Sequence, residues 1–176
     1  MAGINFEART PEVNTLLVER YPFLMPRNAW TGKIVEDYDY SYTLFDMIPK
    51  GWRTGFGIEF IEKLRNACVE ADFLDKLLVT QIKEKYGELR FYTNPIPQNI
   101  CKIITDYEYL SRYVCIDCGR PAKWVSKNWI SPWCDECCKE TRAMHPNGFE
   151  RIETYFDTYK PIGDSEWDTI LKTSNH

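Results

Sequence analysis

Four of the seven cysteines form two close pairs separated by fifteen residues, in the pattern C-x2-C-x15-C-x2-C. The four residues are Cys115, Cys118, Cys134 and Cys137. Each pair can turn two thiolates towards one metal ion, and fifteen residues are enough for a hairpin that returns the second pair to the first. The spacing therefore predicts one structural zinc ion in a closed four-thiolate site, which leaves no position for a water or substrate.

Some alternatives at this site stay open in the sequence. Cys138 directly follows the last predicted ligand, and His145 lies downstream, so that either residue could replace one of the four. Iron or a redox-active C-x2-C pair are the alternatives to zinc. The symmetrical spacing favours zinc and the first four cysteines. We interpret Cys68 and Cys101, which lie at helical positions, as packing residues.

The beginning of the chain bears on the compartment. Residues 1–10 contain no apolar segment typical of a secretory signal, and an odd number of cysteines fits poorly with a pure disulfide framework. We therefore expect a cytoplasmic protein with reduced cysteines. No apolar stretch approaches the roughly 18 residues that a membrane span requires, so no membrane association is expected.

Hydrophobic periodicity predicts an α+β fold. Of the 176 residues 44% are hydrophobic and 15% aromatic, enough to bury a core. Apolar residues at three- and four-residue intervals predict helices near 11–20, 58–71 and 97–113, and a β-hairpin is predicted at 78–93. We expect one α+β domain at 1–112, a treble-clef-like zinc module at 113–145, and a covering segment at 146–176. Residues 22–57 are interpreted as an extended covering segment or a short strand, and 135–143 as a further helix.

The predicted hairpin carries a candidate binding face. A turn at Tyr86-Gly87 places Lys83 opposite Arg90 on one face of the hairpin, where the two positive charges repel each other. They can simply point into water, or the face can bind an anion. The candidate ligand-binding residues are Gln81, Lys83, Lys85, Arg90 and Tyr92.

The region between the cysteine pairs is rich in tryptophan, with Trp124, Trp129 and Trp133. We interpret these residues as the small core of the metal module, and an exposed one among them would be an anchor for a partner. Basic residues nearby compensate the negative charge of a zinc–thiolate centre, so they are weak evidence for nucleic-acid binding.

Four segments together resemble a family of uncharacterised small proteins of bacteria and their phages. They are IPKGWRTGFG (48–57), QIKEKYGELRFY (81–92), CIDCGRPA (115–122) and NWISPWCDEC (128–137). The resemblance covers residues 10–142. It implies a zinc site and a cytoplasmic setting, in a bacterial cell or in the host of a phage, and implies no mechanism. Where such proteins often have glycine before the tryptophan of the second cysteine pair, this chain has Asn128.

The functional expectation is a non-enzymatic protein. The only histidines are His145 and His176, and no motif typical of hydrolases, nucleotide-binding loops or metalloproteases is present. A zinc-stabilised interaction protein that binds another protein, for example a phage factor acting on a host protein, is favoured. The alternatives are a binder of an anionic nucleotide or small-molecule signal at the hairpin face, and a nucleic-acid-binding zinc finger. The net charge of −4 argues against nucleic acid as the main partner.

Overall fold

The structure is a computed structural model that describes residues 9–28 and 30–156. It is a mixture of helices and small antiparallel sheets with four clustered cysteines near its C-terminal end, and the predicted fold class is confirmed. The described residues form two compact units. The first comprises 9–28, 30–48, Gly57–Lys83 and Arg90–Thr105; the second comprises Pro49–Phe56, Glu84–Leu89 and 106–156.

Six α-helical segments and five strands occur in the part of the chain that the structure describes. The helices are α1 (Pro11–Arg20), α2 (Lys50–Trp52), α3 (Ile58–Glu70), α4 (Gln98–Ser111), α5 (Lys139–Met144) and α6 (Ile152–Tyr155). The strands are β1 (Val79–Lys85), β2 (Glu88–Thr93), β3 (Trp124–Ser126), β4 (Ser131–Trp133) and β5 (Phe149–Arg151). Short 3-10 turns occur at Pro22–Leu24, Leu44–Met47, Leu74–Lys76 and Pro146–Gly148.

Helix α1 begins where the sequence predicts. The hydroxyl of Thr10 accepts a hydrogen bond from the Val13 amide, and Pro11 occupies the first helical position, where its missing N–H costs nothing. Helices α3 and α4 end one or two residues inside the predicted ranges. Both carry an apolar stripe, which in α3 includes the buried Phe60, Leu64 and Cys68.

Strands β1 and β2 form the predicted hairpin. Tyr86 and Gly87 have φ angles of 55° and 78°, the pair of positive values that a two-residue hairpin turn requires. Counting back from this turn pairs Ile82 with Phe91, and both side chains are buried. The Phe91 ring packs edge-on against Phe60 of α3, with ring centroids 5.2 Å apart. These residues lie in the first unit, whose core they help to form.

The segment at 22–57 differs from its predicted extended form. It contains 3-10 turns, an isolated bridge between Arg27 and Ile34, and helix α2 followed by a π-helical turn at Arg53–Gly57. Glycines at 51, 55 and 57 look like loop residues in the sequence. Two of them instead permit a close backbone approach, described below.

In the second unit, β4, β3 and β5 form a three-stranded antiparallel sheet in that order. Val125 of β3 pairs with Pro132 of β4 and with Glu150 of β5. Val125 packs with Ala122 and Ile152 in a small buried cluster. Strand β5 lies in the range predicted as a covering segment, whose residues 157–176 are outside the described part of the chain. Its short polar sequence, FER, carries no alternating pattern that would predict a strand.

Truncation of Phe91 tests the core of the first unit. Phe91 is 5% exposed, whereas Tyr92, the next residue of β2, is 40% exposed. We expect Phe91→Ala to lower the free energy of unfolding by about 3–5 kcal/mol, because it leaves a cavity against Phe60. The matched variant Tyr92→Ala is expected to cost less than about 1 kcal/mol. Chemical denaturation measures both, and equal losses would contradict the packing described here.

Candidate metal centre

The four predicted cysteines come together in the second unit. Their Sγ atoms all lie within 4.8 Å of one another, and the Cys118 and Cys134 sulfurs are 3.5 Å apart. Four sulfurs around a tetrahedral ion with metal–sulfur distances of about 2.3 Å would be separated by about 3.8 Å. The cluster therefore fits one metal ion at its centre.

Neither sequence alternative belongs to this cluster. Cys138 is buried, and its thiol donates to the Cys134 carbonyl oxygen, 3.1 Å away. Burial raises the pKa of this thiol. His145 is the C-cap residue of helix α5 and lines a surface cavity. Of the described histidine, cysteine and acidic residues, the grouping that could hold a metal consists of the four predicted cysteines.

Tight turns of the backbone position the sulfurs. In the first pair, the Gly119 amide donates to the Cys115 carbonyl at 3.0 Å, and Gly119 has a φ of 79°, which favours glycine. In the second pair, the Cys137 amide points at the Cys134 sulfur at 3.4 Å, and the chain then enters α5. The helix begins at Lys139 and ends at Met144, rather than spanning the predicted 135–143.

The segment at 49–56 packs on the first cysteine pair, backbone against backbone. A Cβ atom at Gly51 would lie 2.2 Å from the Cys115 carbonyl oxygen, and one at Gly55 would lie 2.9 Å from the Gly119 carbonyl oxygen. The Gly51 amide donates to the Ile116 carbonyl at 2.9 Å. These contacts explain why Gly51 and Gly55, in the segment 48–57, must be glycine.

A buried indole adds to this contact. Trp52 is fully buried, and its Nε1 donates to the Val114 carbonyl oxygen at 2.9 Å, one residue before the first ligand. The π-helical turn that follows keeps Gly55 against Gly119. The cysteine pair is thereby held by hydrogen bonds and by close packing in addition to any metal.

One cation lies directly at the sulfur cluster. The Arg120 Nε is 3.3 Å from the Cys118 sulfur. Burial opposes ionisation of Cys118, but hydrogen bonds, above all from Arg120, outweigh it and lower the pKa of this thiol to about 6. At Cys137 and Cys115 burial dominates and raises the pKa of each thiol. Four thiolates and a divalent ion would carry a net charge of −2, which Arg120 partly offsets.

Three of the other basic residues of this region have local partners. Asp135 binds the Lys123 ammonium at 2.8 Å and the Trp124 indole N–H at 2.8 Å. These two contacts, the one with Lys123 above all, lower the pKa of Asp135 to about 2. The Arg142 guanidinium lies 3.8 Å from the Trp124 ring centroid, and Arg151 lies 4.9 Å from it. The cationic residues here stabilise the module rather than forming an open basic surface.

The candidate hairpin face is distributed over both units. Gln81, Lys83, Arg90 and Tyr92 belong to the first unit, and Lys85 belongs to the second. In the first unit the Lys83 ammonium lies 5.1 Å from the Tyr92 ring centroid. Arg90 is half-buried and makes a contact of its own. The ligand role of this face stays a prediction.

The structure also places an aromatic surface around Trp129, which is exposed and so is not part of the small core that the sequence predicts for the three tryptophans. This surface consists of Tyr86, Trp129, Trp133 and Phe149, all in the second unit. Trp129 is 75% exposed and Tyr86 is 68% exposed. The sequence shows a cluster of tryptophans, but it does not distinguish the exposed Trp129 from Trp124, whose ring is covered by two arginines.

Comparison with known proteins gives no match: no protein-family model, curated protein or solved structure matches this chain. Among the residues that the structure describes, no helix is both long and apolar enough to cross a membrane.

Replacement of one ligand tests the metal centre. We expect the purified protein to hold one metal ion per chain, and Cys118→Ser to lose most of it and to destabilise residues 113–143. Cys138→Ser and Cys68→Ser are matched controls that should retain the ion, because their sulfurs lie outside the cluster. Elemental analysis of the four proteins decides this, and equal metal loss in all three variants would contradict the ligand assignment.

The glycine contact has its own test. Gly51→Ala should lower the free energy of unfolding by at least about 2 kcal/mol and weaken metal retention, because the new methyl group overlaps the Cys115 carbonyl. Gly148→Ala is the control, since its Cβ would make an ordinary 3.4 Å contact with His145. Thermal denaturation with and without a chelator measures both effects. A Gly51→Ala protein as stable as Gly148→Ala would refute the close approach.

Proposed function

We propose that this chain is a zinc-stabilised, non-enzymatic interaction protein whose aromatic surface binds another protein. Zinc is the ion we assign to the cluster, since four thiolates in a tetrahedral arrangement are its typical structural ligand set. A closed site of this kind supplies folding energy and has no open position for chemistry. Elemental analysis that finds iron instead would overturn this part of the proposal.

The single observation that supports the binding role is that two exposed aromatic residues, Trp129 and Tyr86, line one cavity. A tryptophan that is 75% exposed leaves a large apolar surface in water, and this is unfavourable unless a partner covers it. Tryptophan and tyrosine are also the residues most enriched among the anchors of protein interfaces. Tyr86, 68% exposed, lines the same cavity as Trp129.

The turn that carries Trp129 is held in place by hydrogen bonds. The Ser126 hydroxyl donates to the Trp129 carbonyl oxygen and accepts from the Trp133 indole, whose Nε1 lies 3.1 Å away. The Lys127 amide donates to the Gly148 carbonyl oxygen at 2.9 Å. An anchor on such a turn loses little conformational entropy on binding, which favours affinity.

The hairpin tip is packed against the same turn. A Cβ at Gly87 would approach the Ile130 methyl group to 3.1 Å, so only glycine allows this fit with its φ of 78°. Tyr86, the neighbouring residue of the tip, is thereby held beside Trp129. The aromatic surface is a preformed feature of the second unit.

The two alternative functions receive less support. At the hairpin face, Arg90 has a contact of its own, which leaves less for an anion. For nucleic acid, Lys123, Arg142 and Arg151 have acidic or aromatic partners. A bacterial or phage setting, with a host protein as partner, remains part of this proposal.

Removal of the exposed indole tests the binding role. We expect Trp129→Ala to reduce capture of its protein partner from a bacterial lysate at least tenfold, with the metal content unchanged. Trp30→Ala is the matched control, because Trp30 is 95% exposed but lies in the first unit. Quantitative mass spectrometry of the captured proteins gives the readout. The proposal fails if Trp129→Ala captures the same proteins as the control.

A further inference from the structure

The Trp129 side chain contributes to two neighbouring cavities. The larger, about 420 Å³, is lined by Glu84, Lys85, Tyr86, Asn128, Trp129 and Ile130. The smaller, about 280 Å³, has Trp129, Trp133 and Phe149 as its aromatic lining, with Asn128 again at its edge. Trp129 and Asn128 are common to both. The result is two short aromatic slots that share one indole.

This shape fits an extended chain better than a helix. A helical ligand needs one continuous apolar groove that accepts side chains at three- and four-residue intervals. Adjacent aromatic slots are instead the sites into which polyproline II segments place successive proline rings. Asn128, exposed at both slots, can hydrogen-bond the unpaired backbone carbonyls that such a segment presents.

Addition of a strand to the neighbouring sheet edge is blocked. Strand β4 is an edge strand of its sheet, and its central residue, Pro132, has no N–H to donate. The Pro132 carbonyl oxygen already accepts a hydrogen bond from the Ile116 amide at 3.0 Å. A peptide at the aromatic surface therefore cannot add to β4 as a further strand along its whole length, which favours binding through side chains.

The larger slot is lined by one cation, Lys85, and one carboxylate, Glu84. Lys85 is exposed, and its ammonium lies 5.4 Å from the Tyr86 ring centroid. The Glu84 carboxylate accepts instead from the Gly87 amide at 2.7 Å. Lys127, the nearest cation on the turn, is paired with Glu150 at 3.7 Å. Among the described residues that line the two slots, Lys85 is the one cation, and it suits a single carboxylate better than a phosphate backbone, which requires several cations.

From these observations we propose that the aromatic surface binds an extended, proline-containing segment of its partner protein, with an acidic residue of that segment placed at Lys85. This inference rests on the proposed function and specifies the partner's chemistry. The prolines occupy the slots on either side of Trp129, and the carboxylate pairs with the Lys85 ammonium.

The test uses three acetylated synthetic peptides and the full-length, metal-loaded protein. The probe is Asp-Pro-Pro-Pro-Pro-Pro; one control replaces its aspartate with lysine, and the other replaces its prolines with alanine. Binding is followed by the indole N–H signals in 15N-resolved NMR. We expect saturable binding of the probe that shifts the Trp129 signal, and at least fivefold weaker binding of each control peptide.

Protein variants localise the binding. Trp129→Ala should weaken binding of the probe at least tenfold, while Trp30→Ala leaves it unchanged. Lys85→Ala should reduce the affinity for the aspartate peptide to that for the lysine peptide, because the carboxylate loses its only cationic partner in the slot. Retained metal and an unchanged spectrum outside the surface verify that each variant is folded.

Three outcomes would overturn the inference: no saturable binding of the probe at millimolar concentration, equal binding of the alanine peptide, or tighter and salt-dependent binding of a thymidine oligonucleotide at Trp129. If the probe fails but Trp129→Ala still loses its protein partner, the proposed function stands and only the proline chemistry is wrong. If that variant also captures its partner normally, both fail.

Discussion

The contact between the glycines at 51 and 55 and the first cysteine pair is the constraint on which the second unit depends. A Cβ atom added at Gly51 would lie only 2.2 Å from the Cys115 carbonyl oxygen, so there is no space for a methyl group at this position. The close approach lets the Gly51 amide and the Trp52 indole hydrogen-bond the backbone on either side of Cys115. A cysteine pair in a short turn has few contacts of its own, so this support determines where its thiolates point.

The aromatic surface depends on the same arrangement, because the turn that carries Trp129 lies between the two cysteine pairs. A metal ion that joins the pairs closes a loop containing β3, the turn and β4. A closed loop has less conformational freedom, so the segment loses less conformational entropy when it folds. Metal binding, folding of the small sheet and positioning of Trp129 would then be one coupled process.

The sequence predicts the parts of this structure that follow from local chemistry. Cysteine spacing indicates the cluster, Tyr86-Gly87 the hairpin turn, and apolar periodicity the helices α3 and α4. It does not predict the π-helical turn at Arg53–Gly57, because Gly55 acts through Gly119, a partner more than sixty residues away. Strand β5 was missed for a similar reason: its pairing with β3 comes from tertiary packing of Ile152 beside Val125 and not from strand propensity.

The left-handed backbone conformation of Tyr86 is not explained by the stability of the fold, but it fits the binding surface proposed above. Its φ of 55° is left-handed, where a side chain costs about 1–2 kcal/mol and where asparagine or glycine is the ordinary choice in a hairpin turn. The tyrosine is exposed, so packing within the described chain returns little of that cost. Its ring is nevertheless held beside Trp129 by the fit of Gly87 on Ile130. Backbone strain of this kind clusters at ligand-binding sites, so an exposed aromatic residue in this conformation beside a second one supports the binding surface proposed above.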